Sequence, residues 1–154
     1  MYRKSKVCFA SSSGGHLEEL SRLSSLVQDG DFVFTEKSDF NTLQWCRKVT
    51  YVTQINRKEL LFIPKLIGLF LKSFFWLIKE KPDIIVSTGA LVTCPISLLG
   101  KLMRKKIIYI ESFARVDNAS LTGKLFYKIA DVFIVQWEEL LKIYPKAIYG
   151  GGIF

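Results

Sequence analysis

Apolar and polar positions along the chain follow two periods. Short runs at residues 6–10, 31–36, 49–55, 83–87, 106–111 and 132–137 are rich in apolar and β-branched side chains and read as strands. Between them apolar residues recur at three- and four-residue spacing, as at Leu17, Leu20, Leu23, Leu26 and Val27, and these stretches read as helices. A weaker helix is expected over about 39–47. Asn56 and Glu59 have capping-box spacing and Pro64 suits a first helical position, so a long helix is expected to run to Lys81. Residues 95–103, 121–130 and 138–144 are the remaining helices, and 147–149 a last short strand. Ile84-Ile85-Val86 and Ile107-Ile108-Tyr109-Ile110 are apolar on both faces, as strands of a parallel sheet covered by helices on both sides are. The expected architecture is α/β, a Rossmann-like doubly wound parallel sheet, in a single domain over residues 1–154.

In such sheets ligands bind beyond the carboxyl ends of the strands, so three loops carry the candidate chemistry. The first, Ser11-Ser12-Ser13-Gly14-Gly15-His16, joins strand to helix with two glycines and small hydroxyls, a setting for a phosphate or diphosphate. No register supplies the three glycines of the dinucleotide fingerprint. Glu36, about twenty residues on, nevertheless keeps a nucleotide-binding oxidoreductase as a minority reading. His16 is the single histidine, a candidate base or a residue that orients the loop. The second loop offers Thr88 and Gly89 ahead of Pro95. The third offers Glu111, which could accept a proton or bind a hydroxyl, and Arg115, which could hold a phosphate.

Composition narrows the class. With 49% hydrophobic and 14% aromatic residues the chain has material for a packed core, and 154 residues suit one domain. Twenty-two basic against 14 acidic residues leave a net charge of +8, which points to an anionic partner. Half of that excess lies in residues 57–81, also the most apolar stretch, a combination that favours a lipid surface over nucleic acid. Lys65, Lys72 and Lys79 recur every seven residues, with Phe70 and Phe74 on other faces, so an interfacial helix with its lysines toward headgroups is expected. Pro64, Lys65, Gly68 and Lys72 tell against a membrane-spanning helix. Cys8, Cys46 and Cys94 are too widely spaced for zinc or a disulfide framework, so a reduced compartment, no metal and no cofactor are expected. The short run at 7–10 reads as a strand, not as a signal peptide.

The motifs Ser12-Ser13-Gly14-Gly15-His16, Ser87-Thr88-Gly89 with Pro95, and Glu111-Ser112 with Leu121-Thr122-Gly123-Lys124 resemble the N-terminal half of glycosyltransferase family 28. The likeness is greater to its split form, in which the acceptor-side, membrane-anchoring subunit of the dolichyl-diphosphate-GlcNAc transferase is a separate chain. It is greatest to the bacterial enhancer subunits of capsular and exopolysaccharide transferases, through Ile134-Val135-Gln136-Trp137-Glu138-Glu139-Leu140 with Tyr144-Pro145. Serines at 11–13 replace a glycine-rich loop, Ala90 and Leu91 stand where the full-length enzyme has glycine and an aromatic, and nothing before Lys6 resembles the membrane helix of the eukaryotic subunit.

The resemblance implies half of a GT-B enzyme, a subunit of an inverting UDP-sugar transferase with little activity alone. A separate donor-binding chain would hold the UDP-sugar. This chain would receive a polyprenyl-diphosphate-linked saccharide at the cytoplasmic face of the plasma membrane as a peripheral protein, with no nucleic acid involved. Ser12, Ser13, Gly14, Gly15, Thr88, Gly89 and Arg115 become candidates for acceptor and diphosphate binding, and His16 and Glu111 for catalysis. A purely non-catalytic anchor for the partner is the alternative. Gly151, Gly152, Ile153 and Phe154 form a tail of flexible glycines and apolar residues, expected to dock on the partner.

Overall fold

A computed structural model describes residues 4–37 and 43–153. Seven parallel strands form one sheet in the order β3-β2-β1-β4-β5-β6-β7: β1 Val7–Ser11, β2 Phe32–Glu36, β3 Val49–Val52, β4 Ile84–Ser87, β5 Lys106–Ile110, β6 Val132–Val135 and β7 Ile148–Tyr149. The order reverses between β1 and β4, where Cys8 pairs with Phe32 on one side and with Ile85 on the other. Ligand crevices open at such a switch point.

Successive residues of each strand face opposite sides, and both sides are filled. Cys8, Ala10, Phe32, Phe34, Ile85, Ile107 and Tyr109 form the larger core with Leu69 and Leu77 of α2 (Phe62–Glu80), Ile96 of α3 (Thr93–Leu102) and Phe126 of α4 (Leu121–Ile129). Phe9, Val33, Val86 and Ile110 pack on the other side against Leu17 and Leu20 of α1 (Gly15–Ser21). The expected doubly wound sheet is the observed one. Cys8, Cys46 and Cys94 are buried free thiols; burial pushes the Cys8 thiol far up and that of Cys94 to about 11.

Local details depart from the sequence reading. Residues 39–42 of the weak helix lie outside the described residues, and 43–47 are not helical. Asn56 makes a turn rather than a capping box: its side-chain oxygen accepts from Lys58 N at 3.0 Å, and α2 starts only at Phe62, with Pro64 as its third residue. The helix expected at 138–144 is a short 3-10 turn, Glu138–Lys142. α2 ends where Lys81 turns left-handed (φ 50°) ahead of Pro82, which cannot continue a helix. Its inward residues Leu69, Ser73, Leu77 and Glu80 repeat at helical spacing. At the amino edge of the sheet Glu80 accepts from Lys6 Nζ at 2.8 Å and Lys48 Nζ at 2.6 Å. Burial works against its charge, but the two ammoniums outweigh it and hold the carboxyl below its usual range.

Candidate functional site

A cleft of about 840 Å³ opens over the carboxyl ends of the strands. His16 lines it from the start of α1, Gln54 to Lys58 from beyond β3, Ala90 and Leu91 from beyond β4, and Tyr109, Ser112, Ala114 and Arg115 from β5 and its loop. Ser120, Leu121 and Thr122 close it at the start of α4.

The first two loops are joined at His16. Gly14, at φ 75°, turns the chain so that its carbonyl accepts from Leu17 N and Glu18 N, and Thr88 Oγ1 donates to the His16 carbonyl at 2.8 Å. Gly89, at φ 107°, leaves room beside the imidazole: a Cβ there would stand 3.1 Å from Tyr109 Oη and 3.5 Å from His16 Cε1. His16 Nδ1 is buried and makes no hydrogen bond among the described residues. Thr88 and Gly89 therefore shape the cleft from behind His16.

Ser12, Ser13, Gly14 and Gly15 are not among the residues that line the cleft. Ser12 Oγ donates to the Ser13 carbonyl, and both Ser13 N and Ser13 Oγ approach Glu36 Oε2 at 3.4 Å. Glu36, at the end of β2, is buried against the first loop; burial pushes its carboxyl up.

Glu111 also departs from expectation. It is fully buried and presents no carboxylate oxygen to the cleft. Its oxygens accept from Tyr109 Oη (3.1 Å), Ser112 N (3.1 Å), Ser120 Oγ (2.9 Å) and Tyr144 Oη (3.1 Å). Ser120 caps α4, its Oγ accepting from Gly123 N at 2.7 Å, and a Cβ on Gly123 would collide with the Glu111 carboxylate and stand 2.7 Å from Tyr144 Oη. Glu111 thus fixes the start of α4 and the Tyr109 wall. Burial, and then its charge, push the Tyr109 and Tyr144 phenols above their ordinary range. Arg115 does reach the cleft, its guanidinium donating to Asn118 Oδ1 at 2.8 Å.

Two groups escaped the sequence reading. Glu19, on the inward side of α1, accepts from Ser112 Oγ at 2.8 Å and Phe113 N at 2.9 Å, pinning the third loop to the helix that carries His16; burial raises its pKa. A carboxylate between Leu17 and Leu20 was the available signal. Arg57 and Lys58 line the cleft from the turn before α2, and the charge excess at 57–81 was theirs in part.

The lysine row of α2 does not face outward as one. Lys65 pairs with Glu59, Lys72 Nζ donates to the Tyr51 carbonyl at 2.7 Å, and Lys79 lies 4.7 Å over the Trp76 ring. Phe70 is half-buried, whereas Phe74 is exposed within an apolar stripe of Leu60, Leu61, Ile63, Ile67, Leu71, Phe75 and Ile78. Among the described residues no helix is long and apolar enough to cross a membrane, and no group of three metal-ligating side chains occurs. The tail folds back on its own domain: Ile153 N donates to Gln136 Oε1 at 3.0 Å, and a Cβ on Gly152 would stand 3.1 Å from the Phe113 ring. Phe154 lies outside the described residues.

The fold resembles MurG of Acinetobacter baumannii (TM-score 0.68, 16% identity, 88% of this chain and 43% of that one) and UDP-N-acetylglucosamine 2-epimerase of Rickettsia bellii (TM-score 0.69, 15% identity, 98% and 46%). This is the architecture of half a GT-B protein. In sequence, the Candida albicans UDP-N-acetylglucosamine transferase subunit ALG14 is 32% identical over 163 residues, covering 90% of this chain and 74% of that protein. The human protein of the same name is 41% identical over 87 residues, but the match spans only 40% of its length. The family of oligosaccharide biosynthesis proteins described as Alg14 like matches residues 7–153, and the chain belongs to that family.

Proposed function

We propose that the chain is the acceptor-side subunit of a two-chain, inverting UDP-sugar glycosyltransferase acting on a polyprenyl-diphosphate-linked saccharide. The observation that carries this reading is a single Rossmann half, in a chain of the Alg14-like family, with an open cleft along its strand ends. A separate donor-binding chain supplies the UDP-sugar, UDP-N-acetylglucosamine by analogy with the names of the relatives. The product serves lipid-linked oligosaccharide synthesis, in a capsular or exopolysaccharide setting.

In the transfer, an acceptor hydroxyl loses its proton to a base and its oxygen attacks the anomeric carbon. The bond from that carbon to UDP breaks, with inversion. His16 is the base candidate that reaches the cleft, while Glu111 holds the wall. The apolar stripe of α2 rests on the cytoplasmic face of the plasma membrane, flanked by Lys72 and Lys79.

Reconstitution tests the reading. The chain alone should transfer little sugar, and adding the donor-binding chain should restore turnover. His16→Gln should then lower kcat by about 10²–10⁴-fold, while Phe74→Ser with Phe75→Ser should lower vesicle binding. The burial of Glu111 favours a second reading, a non-catalytic anchor, under which His16→Gln would leave kcat unchanged.

A further inference from the structure

The floor and the mouth of the cleft differ in charge. Beneath the floor, behind the lining residues Tyr109 and Ser120, the Glu111 carboxylate sits against the first turn of α4, bonded to the capping Ser120 and in the space a Cβ of Gly123 would need. It therefore already occupies the positive end of that helix, and a phosphate placed there would meet a like charge. Glu19, buried against Ser112 and Phe113, and Glu36, buried against Ser13, extend the acidic side under the first loop.

The mouth is cationic. Arg57 and Lys58 line it from the turn that Asn56 holds, and Arg115 lines it from the β5 loop. All three side chains are exposed, and among the described residues no carboxylate forms an ion pair with them. Two residues past Lys58 the chain reaches Leu60 and Leu61, which open the apolar stripe of α2. Cations at a cleft mouth, continuous with an apolar ridge, match one chemical class: a diphosphate ester of a long isoprenoid.

We propose that Arg57 and Lys58, with Arg115, bind the diphosphate of the acceptor's carrier, and that the isoprenoid chain leaves over Leu60 and Leu61 onto α2. The inference rests on reading the acceptor as a polyprenyl diphosphate, and it moves the diphosphate away from the loop of Ser12 to Gly15. The Ser13 donors of that loop are directed at Glu36.

A UDP-sugar presents the same diphosphate group, so the test has two arms. The chain is titrated calorimetrically with farnesyl diphosphate, a soluble isoprenoid diphosphate, and separately with UDP. Wild type should bind farnesyl diphosphate, and Arg57→Gln combined with Lys58→Gln should weaken binding roughly tenfold or more, with a shallower salt dependence. UDP should neither match that affinity nor displace the isoprenoid.

Four results would overturn the assignment: no binding by wild type, equal binding by the double variant, UDP binding as tight and lost with the same pair, or loss of binding in Gly15→Val alone. The last two would hand the cations to the donor or return the diphosphate to the glycine loop. Circular dichroism of each variant separates lost binding from lost fold. Farnesyl diphosphate binding through Arg57 and Lys58 without sugar transfer by the reconstituted pair would keep this inference and sink the proposed function.

Discussion

At the amino edge of the sheet a buried glutamate is held by lysines; at the carboxyl edge another is held by hydroxyls. Glu80 closes the foot of α2 against Lys6 and Lys48, whose side chains remain partly in water. Glu111 accepts from two tyrosines, a serine and a backbone N–H, with no cation among these donors. Opposite charges tolerate variable geometry, whereas hydroxyl donors need short, directed contacts. The amino edge is built to hold together, and the carboxyl edge to hold side chains in place.

The largest test of that contrast is Glu111→Leu. It leaves two buried tyrosine hydroxyls and the half-buried Ser120 hydroxyl without their acceptor and should cost about 3–5 kcal/mol, lowering Tm by roughly 10 °C or more. An unchanged or higher Tm would mean that removing a buried charge outweighs the orphaned donors. Gly123→Ala comes next, at about 1–3 kcal/mol by overpacking the carboxylate and Tyr144, measured by urea denaturation.

Glu80→Gln should cost about 1 kcal/mol at pH 7, and its signature is pH dependence. The folded pKa is held below the ordinary value of 4.5, so the stabilisation is complete above that pH and disappears as pH falls through the folded value. Melting curves of variant and wild type should converge in acid. The carboxyl edge should fail at the other extreme. The Tyr109 and Tyr144 phenols are raised above 10, so their contribution is whole below pH 10 and is lost as pH climbs beyond it. Tyr144→Phe should flatten that alkaline arm. Smallest for the fold is Leu71→Ser on the exposed stripe, within about 0.5 kcal/mol by thermal melt, although it should weaken co-sedimentation with vesicles.

The sheet was legible because two-sided apolar runs such as Ile84-Ile85-Val86 admit few other placements. The loops at its carboxyl ends were legible for the same reason, and His16 and Arg115 stand where that logic puts them. The role of Glu111 was not legible. Its Tyr144 donor comes from 33 residues away, and only the packed fold brings the hydroxyl onto the carboxylate. The orientation of α2 was hidden because the helix is apolar nearly all round. The wheel marked the lysine row but not that Leu69, Ser73 and Leu77 face the sheet, which turns Lys72 toward Tyr51. The Asn56 turn was misread because capping boxes and side-chain turns begin with the same residue types.

The three buried thiols make the molecule its own clock. Cys8 lies in β1, inside the sheet, Cys46 ahead of β3 and Cys94 in the first turn of α3, each shielded from solvent. With the Cys94 thiol held near 11 and that of Cys8 higher still, neither supplies much thiolate at neutral pH while its region stays closed. A thiol reagent therefore modifies them at the rate at which the surrounding structure opens. Mapping which cysteine reacts first would show whether the start of α3 at Cys94 opens independently of the strand that carries Cys8.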